Sequence, residues 1–257
     1  MKHFLLPILC LSAILSSCKK DTVEGPQGPQ GPAGANGSAP SGTLAGKARQ
    51  YDEFGVEYTT SLNNVTVTVD GTNLSTVTDA SGNYSIPNVP PGVYNVTFTK
   101  PGAGLYKATQ VTFPGNGILY NTASVVDKAT TVITSAVVKD TMFFSTPQIK
   151  FQIATTPLSK SRTFMLVFGK TANIDLADPS SYNNIYTTNM QSGASGINGT
   201  TNISGTNYNA FSSGSTIYVK VYPVATSYTG YYDAAIDENV YTTYGTPFAT
   251  TFTVTKP

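Results

Sequence analysis

Short runs in which apolar and polar residues alternate one for one, each closed by Gly, Pro, Asn or Asp, recur in this chain from about Ser41 onward. That period of two limits its possible folds. Side chains that alternate in sequence lie on opposite faces of an extended strand, so each run predicts a strand with one buried face. Val65, Val67 and Val69 alternate with Thr66, Thr68 and Asp70. Asp70-Gly71 is a hairpin-turn pair, and Leu74 to Thr78 supplies the returning strand. Asp79-Ala80-Ser81-Gly82-Asn83 makes the next turn, Tyr84 and Ile86 begin another strand, and Pro90-Pro91-Gly92 turns the chain into Tyr94, Val96 and Phe98. No helical periodicity interrupts this block. The predicted class is all-β, with two consecutive β-sandwich domains over residues 41–126 and 127–257.

The second block has the length of one sandwich of about seven strands or more with decorated loops. Ile149, Phe151 and Ile153 alternate, as do Phe164, Leu166 and Phe168, and Ile217, Val219 and Val221. Phe248 to Val254 is expected to close the sandwich. The polar stretch from Gln191 to Ser215 is long for a hairpin loop and is expected to hold a poorly paired edge strand or a surface excursion. Tyr218 and Tyr222 fall on one face of their strand and are expected to cover the sheet.

The N-terminus reads differently. Met1-Lys2-His3 is a small basic segment and Phe4 to Leu15 an apolar one, interrupted by Pro7 and too short to span a bilayer as a helix, which predicts a signal peptide over residues 1–17. Leu15-Ser16-Ser17-Cys18 resembles the lipobox of bacterial lipoproteins. The resemblance implies that Cys18 becomes the first mature residue and carries a diacylglycerol and an N-acyl group, while His3 and Cys10 leave with the signal. The residues after it, Lys19-Lys20-Asp21, lack the acidic second residue of an inner-membrane retention signal, which favours the outer membrane. They are also similar to the surface-export signal of Bacteroidota lipoproteins, with Asp21 and Glu24 as the acids, and the surface and the periplasmic face both stay open.

Gly25 to Ala39 places glycine at every third position over five triplets, with proline in the first three X positions and none in any Y position. This collagen-like repeat is either a short trimerisation stalk or an extended tether, and residues 18–40 together form the lipid anchor and tether. At polyproline II rise its fifteen residues span on the order of 45 Å, enough to clear the lipid headgroups.

Val65-x-Val67, then Thr76-x-Thr78-Asp79-x-x-Gly82-x-Tyr84-x-Ile86, then Val89-Pro90-Pro91-Gly92-x-Tyr94-x-Val96, resembles the carboxypeptidase regulatory-like domain over roughly Gly42 to Val126. The resemblance implies a small transthyretin-like sandwich, grouped with carbohydrate-binding-like folds. The motif also has a physical basis: Asp79 can bond its own turn, Gly82 can take a positive φ, and the Tyr/Ile alternation fills a core. Residues Asp52 to Asn63 form a longer polar excursion than that family's usual first turn. The second block, through Thr216-Ile-Tyr-Val-Lys-Val-Tyr222, resembles fibronectin type III-like modules by pattern.

Composition narrows the function. Formal net charge is +1, with 11% charged and 40% hydrophobic residues, and the basic residues are scattered, so nucleic acid has no electrostatic footprint here. Cys18 is the single mature cysteine, which rules out an intrachain disulfide. Without a mature histidine there is no Ser-His-Asp or Cys-His pair and no usual zinc site. Gly42-Thr-Leu-Ala-Gly-Lys47 is one residue short of a phosphate loop between its glycines and reads as a strand entry. Paired carboxylates remain the one catalytic route, since a glycosidase needs only two acids about 5 to 10 Å apart.

Asp233, Asp237 and Glu238 are the densest acidic group and lie in a tyrosine-rich segment, Tyr228 to Tyr244, with Tyr231 and Tyr232 beside them. The segment has three readings: a carbohydrate platform, a calcium site of hard oxygen ligands, or a solvated loop whose tyrosines pack over the sandwich end. No cofactor is expected apart from calcium under the second of these. Asp21-Thr22-Val23 and Asp140-Thr141-Met142 resemble the Asp-Ser/Thr-apolar O-glycosylation motif of Bacteroidota secreted proteins, which makes Thr22 and Thr141 candidates. Thr141 qualifies only in an exposed loop. The expectation is a non-enzymatic, lipid-anchored envelope protein that binds glycans or serves as a structural or protein-binding spacer. It would contact the membrane through its lipid and exist as a monomer or a weak trimer through the stalk.

Overall fold

The structure, a computed structural model, describes residues 40–144, 146–156, 159–202, 210–226 and 230–256. Cys18, Thr22 and the collagen-like repeat lie outside these residues. Apart from a single 3-10 turn at Pro179–Ser181, the regular structure described is all strand. In chain order the first seven strands are β1 (Gly42–Tyr51), β2 (Thr66–Val69), β3 (Ser75–Val77), β4 (Asn83–Val89), β5 (Gly92–Thr99), β6 (Tyr106–Phe113) and β7 (Ile118–Val126). They make two sheets, ordered β4-β1-β7 and β3-β2-β5-β6, with β1 antiparallel to β4 and parallel to β7. Between the sheets lie Val65, Val67 and Val69, all at 0% exposure, with Tyr84, Ile86, Val96 and Phe98. The period of two is thus obeyed because each of these strands has one face on this core.

The turn between β3 and β4 takes the form its residues dictate. Asp79 Oδ1 accepts from the backbone N–H of Ser81 and of Asn83, both at 2.9 Å, and these bonds to the ionised form hold its pKa below the ordinary carboxylate value. Gly82 has φ +81°, and a Cβ there would lie 2.8 Å from the Ala48 carbonyl oxygen and 3.1 Å from Leu62 Cβ. Gly82→Val is therefore expected to destabilise the fold by about 1 to 3 kcal/mol, through left-handed strain in a β-branched residue and the crowding of β1. Urea unfolding of the full chain checks this, and an unchanged midpoint would show that the turn does not need a glycine.

The second half contributes β8 (Ile133–Phe143), β9 (Thr146–Thr155), β10 (Arg162–Gly169), β11 (Asn184–Met190), β12 (Gly196–Asn202), β13 (Thr216–Val224), β14 (Gly230–Asp233), β15 (Glu238–Tyr241) and β16 (Phe252–Thr255). Sheets β12-β9-β8 and β11-β10-β13-β16 enclose a core of Ile149, Phe151, Ile153, Phe164, Leu166, Phe168, Val219 and Val221. β10 departs from the one-faced pattern: all eight of its residues are buried. Met165 and Val167 pack on the far face of the sheet against Ile174, Leu176, Tyr222 and Val224. Segment 170–183 and the tyrosines cover that face, so Tyr222 is itself a core residue at 3% exposure.

Two expectations change at the edges. Within Gln191–Ser215, β12 pairs regularly with β9 from Gly196–Ala154 through Asn202–Gln148, so the edge strand there is well paired. The closing strand is shorter than 248–254. Phe248 N donates to Val221 O at 2.9 Å, after which the chain leaves the sheet and rejoins β13 only at Phe252, opposite Val219. The described residues form one compact unit, so the two sandwiches are joined rather than strung.

Candidate functional site

The tyrosine-rich segment is a hairpin inserted between the last two strands of the second sandwich. β14 and β15 pair Tyr231 with Val240 and Asp233 with Glu238. Asp233 closes the turn with its own groups, its Oδ1 accepting from Ala235 N at 3.0 Å and its carbonyl from Ile236 N at 3.2 Å. Asp237 adopts φ +57° and its carboxylate accepts the Tyr232 hydroxyl, a bond that raises the Tyr232 pKa. Two of the three acids thus serve the hairpin itself. Among the described residues no group of three or more His, Cys, Asp or Glu side chains is placed to hold a metal ion, so Asp233, Asp237 and Glu238 are neighbours in sequence without forming a ligand set.

The hairpin packs on the first sandwich. Thr109 of β6 donates through Oγ1 to the Tyr232 carbonyl and accepts from Ala234 N, both at 3.4 Å, and Thr242 Oγ1 donates to Leu105 O at 2.5 Å. Tyr231 is half-buried, and its pKa is raised first by that burial and then by Asp233 and by Asp70 of the first sandwich. Tyr244 meets Tyr222 edge-on at 5.3 Å and donates to Asp175 Oδ1 at 3.1 Å. Tyr222 donates to Ile174 O at 2.9 Å, and burial pushes its pKa up to about 12. Tyr232, 51% exposed, remains the ring open to a ligand on this hairpin. Thr141 is half-buried in β8 opposite Gln148, not in a loop, so the condition set for its glycosylation is not met.

Sequence reasoning missed the joint on the other side of the hairpin, although the extra length of residues 52–63 was its visible sign. Asp52 Oδ1 accepts from Phe54 N at 2.9 Å and Val56 N at 2.8 Å, which folds the excursion into a tight turn and leaves Oδ2 to meet Lys160 Nζ at 3.5 Å. The charged groups of Lys160 and Arg162 lie 4.0 and 3.9 Å from the Phe54 ring centroid. Glu53 takes Thr130 N at 2.7 Å on Oε2 and Thr130 Oγ1 at 2.6 Å on Oε1, and Arg162 Nη2 stands 3.5 Å from Oε1. Burial pulls the Arg162 pKa down while Glu53 and Asp52 oppose it. Tyr58 donates to Asp127 Oδ2 at 2.6 Å, and this bond raises its pKa to about 12. Tyr51, Val126 and Ala225 form a small buried cluster beside these contacts.

Residues 57–125 match the carboxypeptidase regulatory-like domain. The match begins after the joint, so β1 and the Asp52-Glu53-Phe54 turn lie outside it. No curated protein matches the chain. A chain of a type II cohesin–X-dockerin complex from Acetivibrio cellulolyticus is 25% identical over 34% of this chain, with a TM-score of 0.30, and the match spans 59% of that chain's length. A candidate carbohydrate-binding protein from Bacteroides uniformis is 14% identical, covering 84% of this chain and 100% of its own, with a TM-score of 0.30. A DUF3823 family protein from Bacteroides ovatus is 13% identical over 84% of this chain and 99% of its own, with a TM-score of 0.28. At such scores the likeness extends to neither ligand nor partner.

Proposed function

We propose that this chain is a non-enzymatic, lipid-anchored protein of the cell envelope that presents a stiff pair of β-sandwiches, outside the membrane, as a binding and scaffolding unit. The observation that carries this reading is the joint. Glu53 and Asp52 of one sandwich engage Thr130, Arg162 and Lys160 of the other, while the β14–β15 hairpin reaches back onto β6. At this joint the polar groups converge on one another, which suits a stiffening contact between the sandwiches. The seven-strand, three-plus-four arrangement of the second sandwich supports its fibronectin type III-like resemblance. The lipobox-like Leu15-Ser16-Ser17-Cys18 and the Gly25–Ala39 tether supply the anchor and the stand-off.

Cys18 decides the anchor, because its thiol is the only place for the diacylglycerol. Wild-type chain is expected in the detergent phase of a cloud-point partition, with Cys18→Ala in the aqueous phase or retained as an uncleaved precursor. Equal partitioning and equal processed mass for the two would overturn the anchored reading.

A further inference from the structure

We infer that the outer face of the β12-β9-β8 sheet is a binding site for an acidic oligosaccharide, a glycan chain bearing carboxylate or sulfate groups. This deepens the proposed function and rests on its reading of the chain as an envelope binding unit. In the register of the sheet, Val137, Gln152 and Asn198 form one outward row and Lys139, Lys150 and Thr200 the next. All six are exposed. They line a groove of about 370 Å³, within the size range of small-ligand sites.

Charge is what marks this face. Lys139 and Lys150 are directly opposite each other, with Cβ atoms roughly 5 Å apart, and like charges so placed destabilise a strand pair. Among the described residues of this face, no acid relieves them. The outward positions from Ser135 to Thr141 on β8, Gln148 to Ala154 on β9 and Gly196 to Thr200 on β12 contain no Asp or Glu. Asp140 is turned to the opposite face, where its carboxylate accepts from Thr255 N at 3.4 Å. Among the described residues no ion pair uses either lysine. A carboxylate or sulfate seated between the two ammonium groups would accept charge-assisted bonds from both and remove the repulsion.

The rest of the groove selects the carrier of that anion. Gln152 and Asn198 amides and the Thr200 hydroxyl each offer a donor and an acceptor, which suits a hydroxyl-rich ligand, and Val137 offers an apolar edge for C–H groups. The concavity fits a chain better than a planar bilayer. The one ring in the lining, Phe151, is 2% exposed, so stacked bases would find no aromatic platform.

Calorimetry on the full chain in detergent tests the site with an oligogalacturonate, a sulfated heparin-type oligosaccharide, a neutral galactan oligomer, a single-stranded oligonucleotide and micelles doped with phosphatidylglycerol. An acidic oligosaccharide should bind at least about tenfold tighter than the neutral one and weaken with added salt. The carboxylate and sulfate arms tell the two anions apart. Lys150→Glu should abolish that binding while leaving the melting temperature unchanged or higher, because it turns a repulsive cross-strand pair into an attractive one. Cys18→Ala should bind like the wild type, so failure of the anchor and failure of the site are separate results. Equal affinity for neutral and acidic oligomers, full affinity in Lys150→Glu, or binding confined to the oligonucleotide or the doped micelles would overturn the proposal.

Discussion

Glu53→Ala is expected to cost about 3 kcal/mol, the low end of the range for breaking a mostly buried ion pair from one side. The side chains of Glu53 and Arg162 are only 11% and 10% exposed, so the guanidinium left behind cannot recover its hydration. Two further bonds disappear with the carboxylate, those from Thr130 N and Thr130 Oγ1. Glu53→Gln should cost less, since an amide oxygen still accepts from Thr130. The position also predicts how the protein unfolds. The wild-type chain should lose both sandwiches in one transition, whereas in Glu53→Ala the second sandwich should part from the first and give two. Urea titration followed by circular dichroism reads both effects. An alanine variant with the wild-type midpoint and one transition would show that the two sandwiches do not depend on this contact.

What could be read from the sequence was local. Val65, Val67 and Val69 announce their strand through a period that needs no partner to be recognised, and Asp79 and Gly82 announce their turn through chemistry confined to five residues. The structure places all five residues as those arguments require. Glu53 meets Thr130 across 77 residues of sequence, and nothing in the Asp52-Glu53-Phe54 triplet names a partner at that distance. In sequence it reads only as part of a long polar excursion, and pairing with Thr130 and Arg162 makes it the inner surface of a joint.

The same limit explains β10 and the acidic hairpin. Phe164, Leu166 and Phe168 gave the face on the sandwich core, but Met165 and Val167 are buried only because segment 170–183 and Tyr222 cover them. Asp233, Asp237 and Glu238 crowd one stretch of sequence, yet a two-stranded hairpin sets Asp233 opposite Glu238 and directs Asp237 onto Tyr232. Asp233 and Glu238 are cross-strand neighbours, but Asp237 is engaged by Tyr232, so the three acids form no common ligand set. Lys139 and Lys150 make the converse case: eleven positions apart and unremarked among scattered basic residues, they become neighbours once β8 and β9 pair.

Gly46→Ala is expected to be the most damaging small substitution in the first sandwich, at a cost of about 3 to 5 kcal/mol from overpacking and an orphaned hydroxyl together. Gly46 lies in β1, the central strand, between Tyr84 of β4 and Asn121 of β7. A Cβ there would fall 1.8 Å from the Asn121 carbonyl oxygen and 2.9 Å from the Tyr84 hydroxyl oxygen. The first of these neighbours is backbone, which cannot swing aside as a side chain can. The Tyr84 hydroxyl donates to that same carbonyl at 2.6 Å, and its ring, 5% exposed, meets Phe98 edge-on at 5.5 Å. The methyl group must therefore either push β7 away from β1 or drive Tyr84 out of the core. Tyr84 reports which occurs. In the wild type, burial raises its pKa above the ordinary 10.0, so it should resist ionisation as pH rises through that value. Should Tyr84 be expelled in Gly46→Ala, an additional tyrosine will titrate near pH 10 in the 295 nm absorbance. Should β7 move instead, the urea midpoint will fall without that added titration. A variant with the wild-type midpoint and the wild-type tyrosine titration would mean that the central strand has room for a side chain at position 46.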